Sequence, residues 1–127
     1  MKYCLLLISM FLFIQVDAQE DTIPLDSIQK IKTGFATYYH RKFEGRRTTS
    51  GAKYRREKFT AAHLSLPFGT IVTVTNLSNG KSVEVEINDR GPYSKRFIID
   101  VSECAAKELG FFGKGQSKVE IAYNRKS

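Results

Sequence analysis

The chain has 127 residues, a formal net charge of +7 and two cysteines. That length can hold one compact core and no more, and so few cysteines exclude a small disulfide framework. The strongly basic balance points to an anionic partner, unless the lysines and arginines are spread evenly for solubility.

After Met1 and Lys2 the chain runs uncharged from Tyr3 to Val16, rich in Leu, Ile and Phe, and then reads Val16-Asp17-Ala18. A transmembrane helix needs about 20 apolar residues. This run is shorter and places medium or small residues at the −3 and −1 positions of a peptidase site, so cleavage after Ala18 is expected, with an uncleaved N-terminal anchor as the rival. Cys4 precedes the apolar core, where a lipid-modified cysteine would follow it. The expected protein is therefore exported to the periplasm or medium, not a lipoprotein, and without stable membrane insertion after cleavage. Losing residues 1–18 removes Lys2 and Asp17 together, which preserves the charge, and leaves Cys104 with no partner for an internal disulfide. Outside the cytoplasm nucleic acid is a disfavoured partner, and an anionic wall polymer or a membrane surface is favoured.

Residues 19–32 are polar, contain Pro24 and read as a linker, with the domain proper at 33–127. Phe35 to Tyr39 reads as a strand. Arg41 to Lys58 is a long, charged, glycine-containing loop, and such loops in compact domains are usually functional. Ile71 to Thr75 and Ser82 to Ile87 are β-rich runs joined by Ser78-Asn79-Gly80, whose Asn-Gly pair favours a tight hairpin. Val83, Val85 and Ile87 alternate with Glu84 and Glu86, so one face packs inward. Asn76-Leu77-Ser78 fits a glycosylation sequon or an ordinary hairpin turn. Phe97 to Ile99 is a further short strand. Ser102 then precedes Glu103 to Leu109 with Gly110 behind, the signature of a two-turn helix capped at both ends. Cys104, among alanines, reads as a small core residue or as a reactive thiol. Lys118 to Tyr123 supplies the last strand. Several short strands and one short helix predict a small, mainly β, closed barrel.

The chemistry-bearing residues gather at Thr60-Ala61-Ala62-His63 and at Asn88-Asp89-Arg90-Gly91-Pro92-Tyr93. Asp89 lies where a strand runs into a Gly-Pro turn, and side chains at strand ends project into clefts. Beside Arg90 it is either an acid catalyst or a salt-bridge partner.

Gly34-Phe-Ala-Thr-Tyr-Tyr39, Gly45-Arg46-Arg47-Thr48, Ser50-Gly51, Thr60 to His63, Leu66-Pro67-Phe-Gly69-Thr70, Val74 to Leu77, Asn79-Gly80, Asn88 to Pro92 and Ile98-Ile99-Asp100 together resemble the RlpA, or rare lipoprotein A-like, family. The resemblance implies a six-stranded double-psi β-barrel with one short helix, a fold shared with expansins and family-45 endoglucanases. It also implies endolytic lytic transglycosylase activity on peptidoglycan glycan strands, leaving 1,6-anhydromuramic acid ends. Carried over, the family's catalytic positions fall on His63, on Asp89 and on position 52, where Ala52 stands in place of the common glutamate. Glu44 or Glu57 would be the nearby replacements for that carboxylate.

Under a transglycosylase mechanism the muramic 6-hydroxyl is the nucleophile, already tethered to the reacting carbon, so one carboxyl can serve first as acid and then as base. Asp89 would fill that role, with His63 orienting it or sharing its proton. Tyr39, Tyr54, Asn88, Arg90 and Tyr93 are the expected substrate-binding residues, and Tyr38 and Phe43 are further aromatics beside the motif loops. Each aromatic either stacks on sugar faces or packs in the core. Arg46, Arg47, Arg55 and Arg56 would meet stem-peptide carboxylates or lie solvated. No metal or cofactor is called for, and a monomer is expected. The alternative is a non-catalytic, expansin-like module that binds wall polysaccharide, which Ala52 favours and the intact Asn88 to Pro92 motif opposes.

Overall fold

The computed structural model describes residues 28–125, and the segment expected to be a signal peptide, with its expected cleavage after Ala18, lies outside them. Six strands, β1 (Ile28–Tyr38), β2 (Thr60–Ala62), β3 (Ile71–Asn76), β4 (Ser82–Asp89), β5 (Phe97–Val101) and β6 (Ser117–Arg125), close into one barrel. Around the barrel their order is β1-β5-β2-β4-β3-β6. Closure pairs every strand on both edges and leaves no open edge. The pairing is mixed: β1 with β5 and β2 with β4 are parallel, and the other four pairs are antiparallel. Among the described residues one α-helix, α1 (Glu103–Leu109), packs against β4 and β1. No helix among the described residues is long and apolar enough to cross a membrane.

The barrel core follows from alternation along the strands. Val72 and Val74, Val85 and Ile87, Ile99 and Val101, and Val119 and Ile121 are fully buried, whereas Glu84 and Glu86 face solvent. Ala105, Ala106, Leu109 and Phe111 of α1 and its exit join the same core. Full burial of one such Leu or Phe is worth roughly 1.5–3 kcal/mol. Ser102 caps α1 by accepting the Ala105 N–H, and Gly110 ends it in the left-handed region at φ 81.

The β3–β4 hairpin forms as its turn residues predict, and Asn76 decides between the two readings of its motif. Its side chain is 1% exposed. Nδ2 donates to the Leu109 carbonyl at 2.8 Å, while Oδ1 accepts from Ser78 and Ser117. A side chain so enclosed anchors the turn to the helix and is no glycan acceptor.

β1 begins at Ile28, inside the segment read as linker. Residues 28–32 pair with β6 from Arg125 back to Ile121, so the barrel claims them through backbone hydrogen bonds, which a polar composition does not forbid. β2 has only three residues and no alternation to reveal it. The 41–58 segment is irregular apart from a 3₁₀ turn at Arg41–Phe43 and a lone bridge between Arg47 and Lys53.

Candidate active site

A register shift builds the site. In the parallel pairing of β2 with β4, Ala61 lies opposite Ile87, yet Ala62 lies opposite Asp89, so Asn88 is the extra residue of a bulge. Bulges re-aim side chains. On its other edge Ala62 pairs with Asp100 of β5. Asp89, Ala62 and Asp100 thus form one row across three adjacent strands, with the smallest side chain in the middle. They line a cleft of ≈ 380 Å³ together with Tyr39, Phe43, Tyr54 and the Asn88-to-Tyr93 turn from Asp89 onward. Gly91 in that turn is buried with φ 131, a conformation that L side chains rarely adopt.

Asp89 sits in a cage of donors. Tyr39 Oη donates to Oδ2 at 2.5 Å. Oδ1 accepts from the Thr49 N–H and hydroxyl, each at 2.8 Å, and from the Arg90 N–H at 2.9 Å. Burial pushes the Asp89 carboxyl up, but these bonds from Tyr39, Thr49 and Arg90 outweigh it and hold the group below the usual carboxylate range. Asp89 is therefore an anion at neutral pH, a poor state for the acid half of a cycle. The Arg90 guanidinium is turned away from it, donating to the carbonyls of Leu66 at 2.7 Å and His63 at 3.1 Å and stacking 4.1 Å from the Phe68 ring. The salt-bridge alternative for Asp89 falls with that geometry.

His63 is coupled to Asp89 through the backbone, its N–H donating to the Asp89 carbonyl at 3.1 Å. Its Nδ1 accepts the N–H groups of Ser65 and Leu66, at 3.1 and 3.2 Å, which leaves the proton of the neutral ring on Nε2. Burial, and then the charges of Lys32 and Arg90, push the imidazole below its ordinary value, so the ring is neutral. The imidazole is not among the residues lining the cleft.

The expected binding aromatics divide. Tyr54 is 2% exposed, stacks on Tyr39 at 4.3 Å and accepts the Glu103 N–H on its hydroxyl, so its faces are taken. Burial pushes its hydroxyl up to about 12. Tyr39 serves Asp89 as a donor; burial and that hydrogen bond push its own ionisation far up, so it stays protonated. Tyr38 accepts the Gly113 N–H and packs on Phe111 and Phe112 away from the cleft. Tyr93 is 79% exposed at the rim and offers an open ring face. Asn88 contributes its carbonyl to the Ser50 N–H.

Ala52 lies exposed on the Thr48–Ala52 turn, where its carbonyl holds Thr48. That turn carries Thr49 onto Asp89. Neither suggested replacement carboxylate reaches the cleft. Glu44 ties down Arg55 and the Arg56 N–H, and Glu57 faces a different hollow beside Arg41 and Lys107. Cys104 is half-buried, with its N–H on the Arg56 carbonyl. A larger hollow of ≈ 640 Å³ beneath Phe68 and Ile71 contains no carboxylate or imidazole.

Asp100, quoted from sequence only as the end of the motif Ile98-Ile99-Asp100, was given no site role there, and neither was Thr49. The signal for Asp100 was a lone charge in the apolar run Ile98-Ile99-Asp100-Val101. Its Oδ1 is buried without a hydrogen-bond partner. Burial, and then the negative charge of Asp89, push its carboxyl up to about 7. One cleft thus holds two carboxyls whose environments drive them in opposite directions.

Known proteins agree with this frame. The endolytic peptidoglycan transglycosylase RlpA of Haemophilus influenzae is 52% identical over 91 residues, which are 72% of this chain and 32% of that protein. Its namesake from Neisseria meningitidis is 50% identical over 90 residues, 71% of this chain and 38% of that protein. The chain spans about a third of the length of these curated relatives. Among solved structures, the Streptomyces papain inhibitor superposes with a TM-score of 0.61 at 23% identity, covering 76% of this chain and 96% of that one. An expansin from Clavibacter michiganensis superposes at 0.60 with 21% identity, covering 77% and 52%. These two likenesses establish the barrel architecture alone. Residues 31–121, which include the whole cleft, match the lytic transglycolase family, and the chain belongs to that family of double-psi β-barrel proteins.

Proposed function

We propose that this chain is an exported peptidoglycan lytic transglycosylase that cuts glycan strands internally and leaves 1,6-anhydromuramic acid ends. The observation that carries the reading is the caged, ionised Asp89 at the floor of an open cleft, on a chain about half identical through that region to named transglycosylases. An anion fixed there stabilises positive charge at the anomeric carbon as the glycosidic bond breaks. His63 acts as a positioning residue: it fixes the loop to Leu66, and its carbonyl holds the Arg90 guanidinium, which keeps that cation off Asp89. Tyr93 supplies the stacking surface, and Tyr39 supplies orientation of Asp89. A peptidoglycan substrate lies outside the cytoplasm, which accords with the export expected from residues 1–18.

The test is digestion of peptidoglycan sacculi and of glycan strands stripped of stem peptides, followed by mass spectrometry of the released material. Anhydro ends are one water lighter than hydrolysis products. Asp89→Asn should lower their release by about 100-fold or more. A second reading is a wall-binding module without bond cleavage, favoured by the methyl group of Ala52 at the position where the family resemblance implies a glutamate. Sacculus binding with no release by the wild type or by Ala52→Glu would establish that reading and overturn the first.

A further inference from the structure

We infer that the ≈ 640 Å³ hollow beneath Phe68 and Ile71 is a peptide site, which takes an acidic stem peptide of the glycan strand held in the cleft and receives its carboxylate on Lys32 and Tyr123. The inference rests on the peptidoglycan reading of the cleft and adds a second binding surface to it.

The lining of the hollow divides into an apolar floor and a polar end. Its volume falls within the range of ligand sites, roughly 300–1,000 Å³. Leu66, Pro67, Phe68 and Ile71 supply the floor, with Phe68 43% and Ile71 51% exposed. Lys32 and Tyr123 supply the polar end. Lys32 lies opposite Ile121 in the β1–β6 ladder, so it shares a face with Tyr123 two residues on, and diagonal neighbours of this kind stand roughly 7–8 Å apart.

Tyr123 points to a ligand. It is only 6% exposed, yet its hydroxyl makes no hydrogen bond among the described residues. The fully enclosed side-chain atoms left unpaired there are Thr60 Oγ1 and Asp100 Oδ1, so the Tyr123 oxygen is open, and the space it lines is the hollow. A phenol set so deeply, with its one polar atom unpaired at a cavity wall, offers a donor to whatever enters. Lys32 is exposed and forms no ion pair among the described residues, and no carboxylate lines the hollow to neutralise it. Two donors, one of them cationic, beside an aliphatic floor fit a ligand that carries a carboxylate and small apolar side chains. A stem peptide, built of alanines and carboxylate-bearing residues, has that composition.

The position of the hollow suits the same occupant. Arg90 lines the cleft, and its guanidinium lies 4.1 Å from the Phe68 ring, which lines the hollow, so one side-chain stack separates the two spaces. The charges of Lys32 and Arg90 both reach His63, which sets the two cations around one ring. A four-residue peptide spans up to roughly 14 Å, enough to pass that stack from a muramic residue bound over Asp89. Each muramic residue of a strand can carry such a peptide, so neighbouring peptides remain free to meet the cleft rim.

The test titrates the protein with a free stem tetrapeptide, with the same peptide amidated at its carboxyls, and with acetate, following backbone amides by NMR. The tetrapeptide should shift Ser65, Phe68 to Ile71 and Asn124 and leave Tyr93 unmoved. Lys32→Ala and Tyr123→Phe should each weaken its binding by roughly tenfold, and amidation should do the same. On peptide-bearing glycan strands both variants should raise KM by a similar factor with kcat near wild type. On strands stripped of stem peptides they should match the wild type. Shifts confined to the cleft rim, or acetate binding as tightly as the tetrapeptide, would overturn the peptide site. Equal losses on stripped and peptide-bearing strands would overturn it too, by assigning Lys32 and Tyr123 to the fold. A wild type that cleaves neither strand, yet shows the expected shifts, overturns the transglycosylase reading and leaves the peptide site standing.

Discussion

Asp89 and Asp100 give opposite contributions to stability against pH, and each can be isolated by one substitution. The folded-state value of Asp89 is depressed, so its contribution is present above its ordinary value of 3.8 and is lost as pH falls through the folded value. Tyr39→Phe deletes one charge-assisted donor and should cost about 1.5–3 kcal/mol near neutrality, a cost that shrinks as pH falls below 3.8 and Asp89 takes up its proton. Urea unfolding over a pH series reads this directly, and a cost that does not change with pH would assign Tyr39 to packing alone. The value for Asp100 is raised, so its contribution is full below 3.8 and is lost as pH rises to about 7. Asp100→Asn has no such dependence, so the stability difference, wild type minus variant, should decline across that window. Legibility at this scale was uneven. Asp89 stood out because it opens a turn motif. Asp100 did not, because a single acid in an apolar strand reads equally as an outward-facing residue until the register is known. The cage around Asp89 was also hidden, since Thr49 lies 40 positions away in sequence.

Elements with local signals could be read from sequence, and elements made by long-range pairing could not. The β3–β4 hairpin announced itself by alternation and Asn-Gly, and α1 by Ser102 and Gly110, because those signals act within a few residues. β2 is three residues held by a parallel partner and an antiparallel one, and nothing in Thr-Ala-Ala specifies either. The early start of β1 is likewise written in β6. Two substitutions probe these elements. Gly110→Ala places a methyl group 2.8 Å from Asn79 Nδ2, in a left-handed conformation, and Asn79 is one of the donors to the Leu109 carbonyl. It should cost more than about 1 kcal/mol, whereas Ser102→Ala at the other end of α1 should cost about 1 kcal/mol, both measured by urea midpoint. Ala62→Val is different in kind. It adds bulk to the row between the two carboxyls, and the expected outcome is a rise in KM for glycan strands larger than any change in thermal midpoint. A drop in midpoint with unchanged KM would mean that Ala62 is core and the cleft floor lies elsewhere.

At the scale of the whole molecule, the strong positive charge has two readings, a patch for an anionic polymer or an even spread for solubility, and the barrel's geometry separates them. β4 runs from Ser82 to Asp89, so the hairpin end of the barrel and the cleft end are roughly 23 Å apart along one strand. That exceeds the screening length of about 8 Å at physiological ionic strength by threefold, so charges at one end scarcely influence a ligand at the other. Lys42 and Arg46 both lie over the ring of Phe43, which lines the cleft, at 5.4 and 5.3 Å. Lys81 and Lys118 are exposed at the hairpin end, joined through Asn76 and Leu77. The double substitutions Lys42→Ala/Arg46→Ala and Lys81→Ala/Lys118→Ala therefore remove the same charge from opposite ends. If stem-peptide carboxylates meet the cleft rim, the first should weaken sacculus binding by roughly tenfold at low salt and flatten its salt dependence, and the second should leave both near wild type. Co-sedimentation with sacculi at several ionic strengths measures this. Equal losses from the two ends would mean that net charge alone attracts the wall, and no loss from either would mean that the charge serves solubility and that contacts inside the cleft carry the affinity.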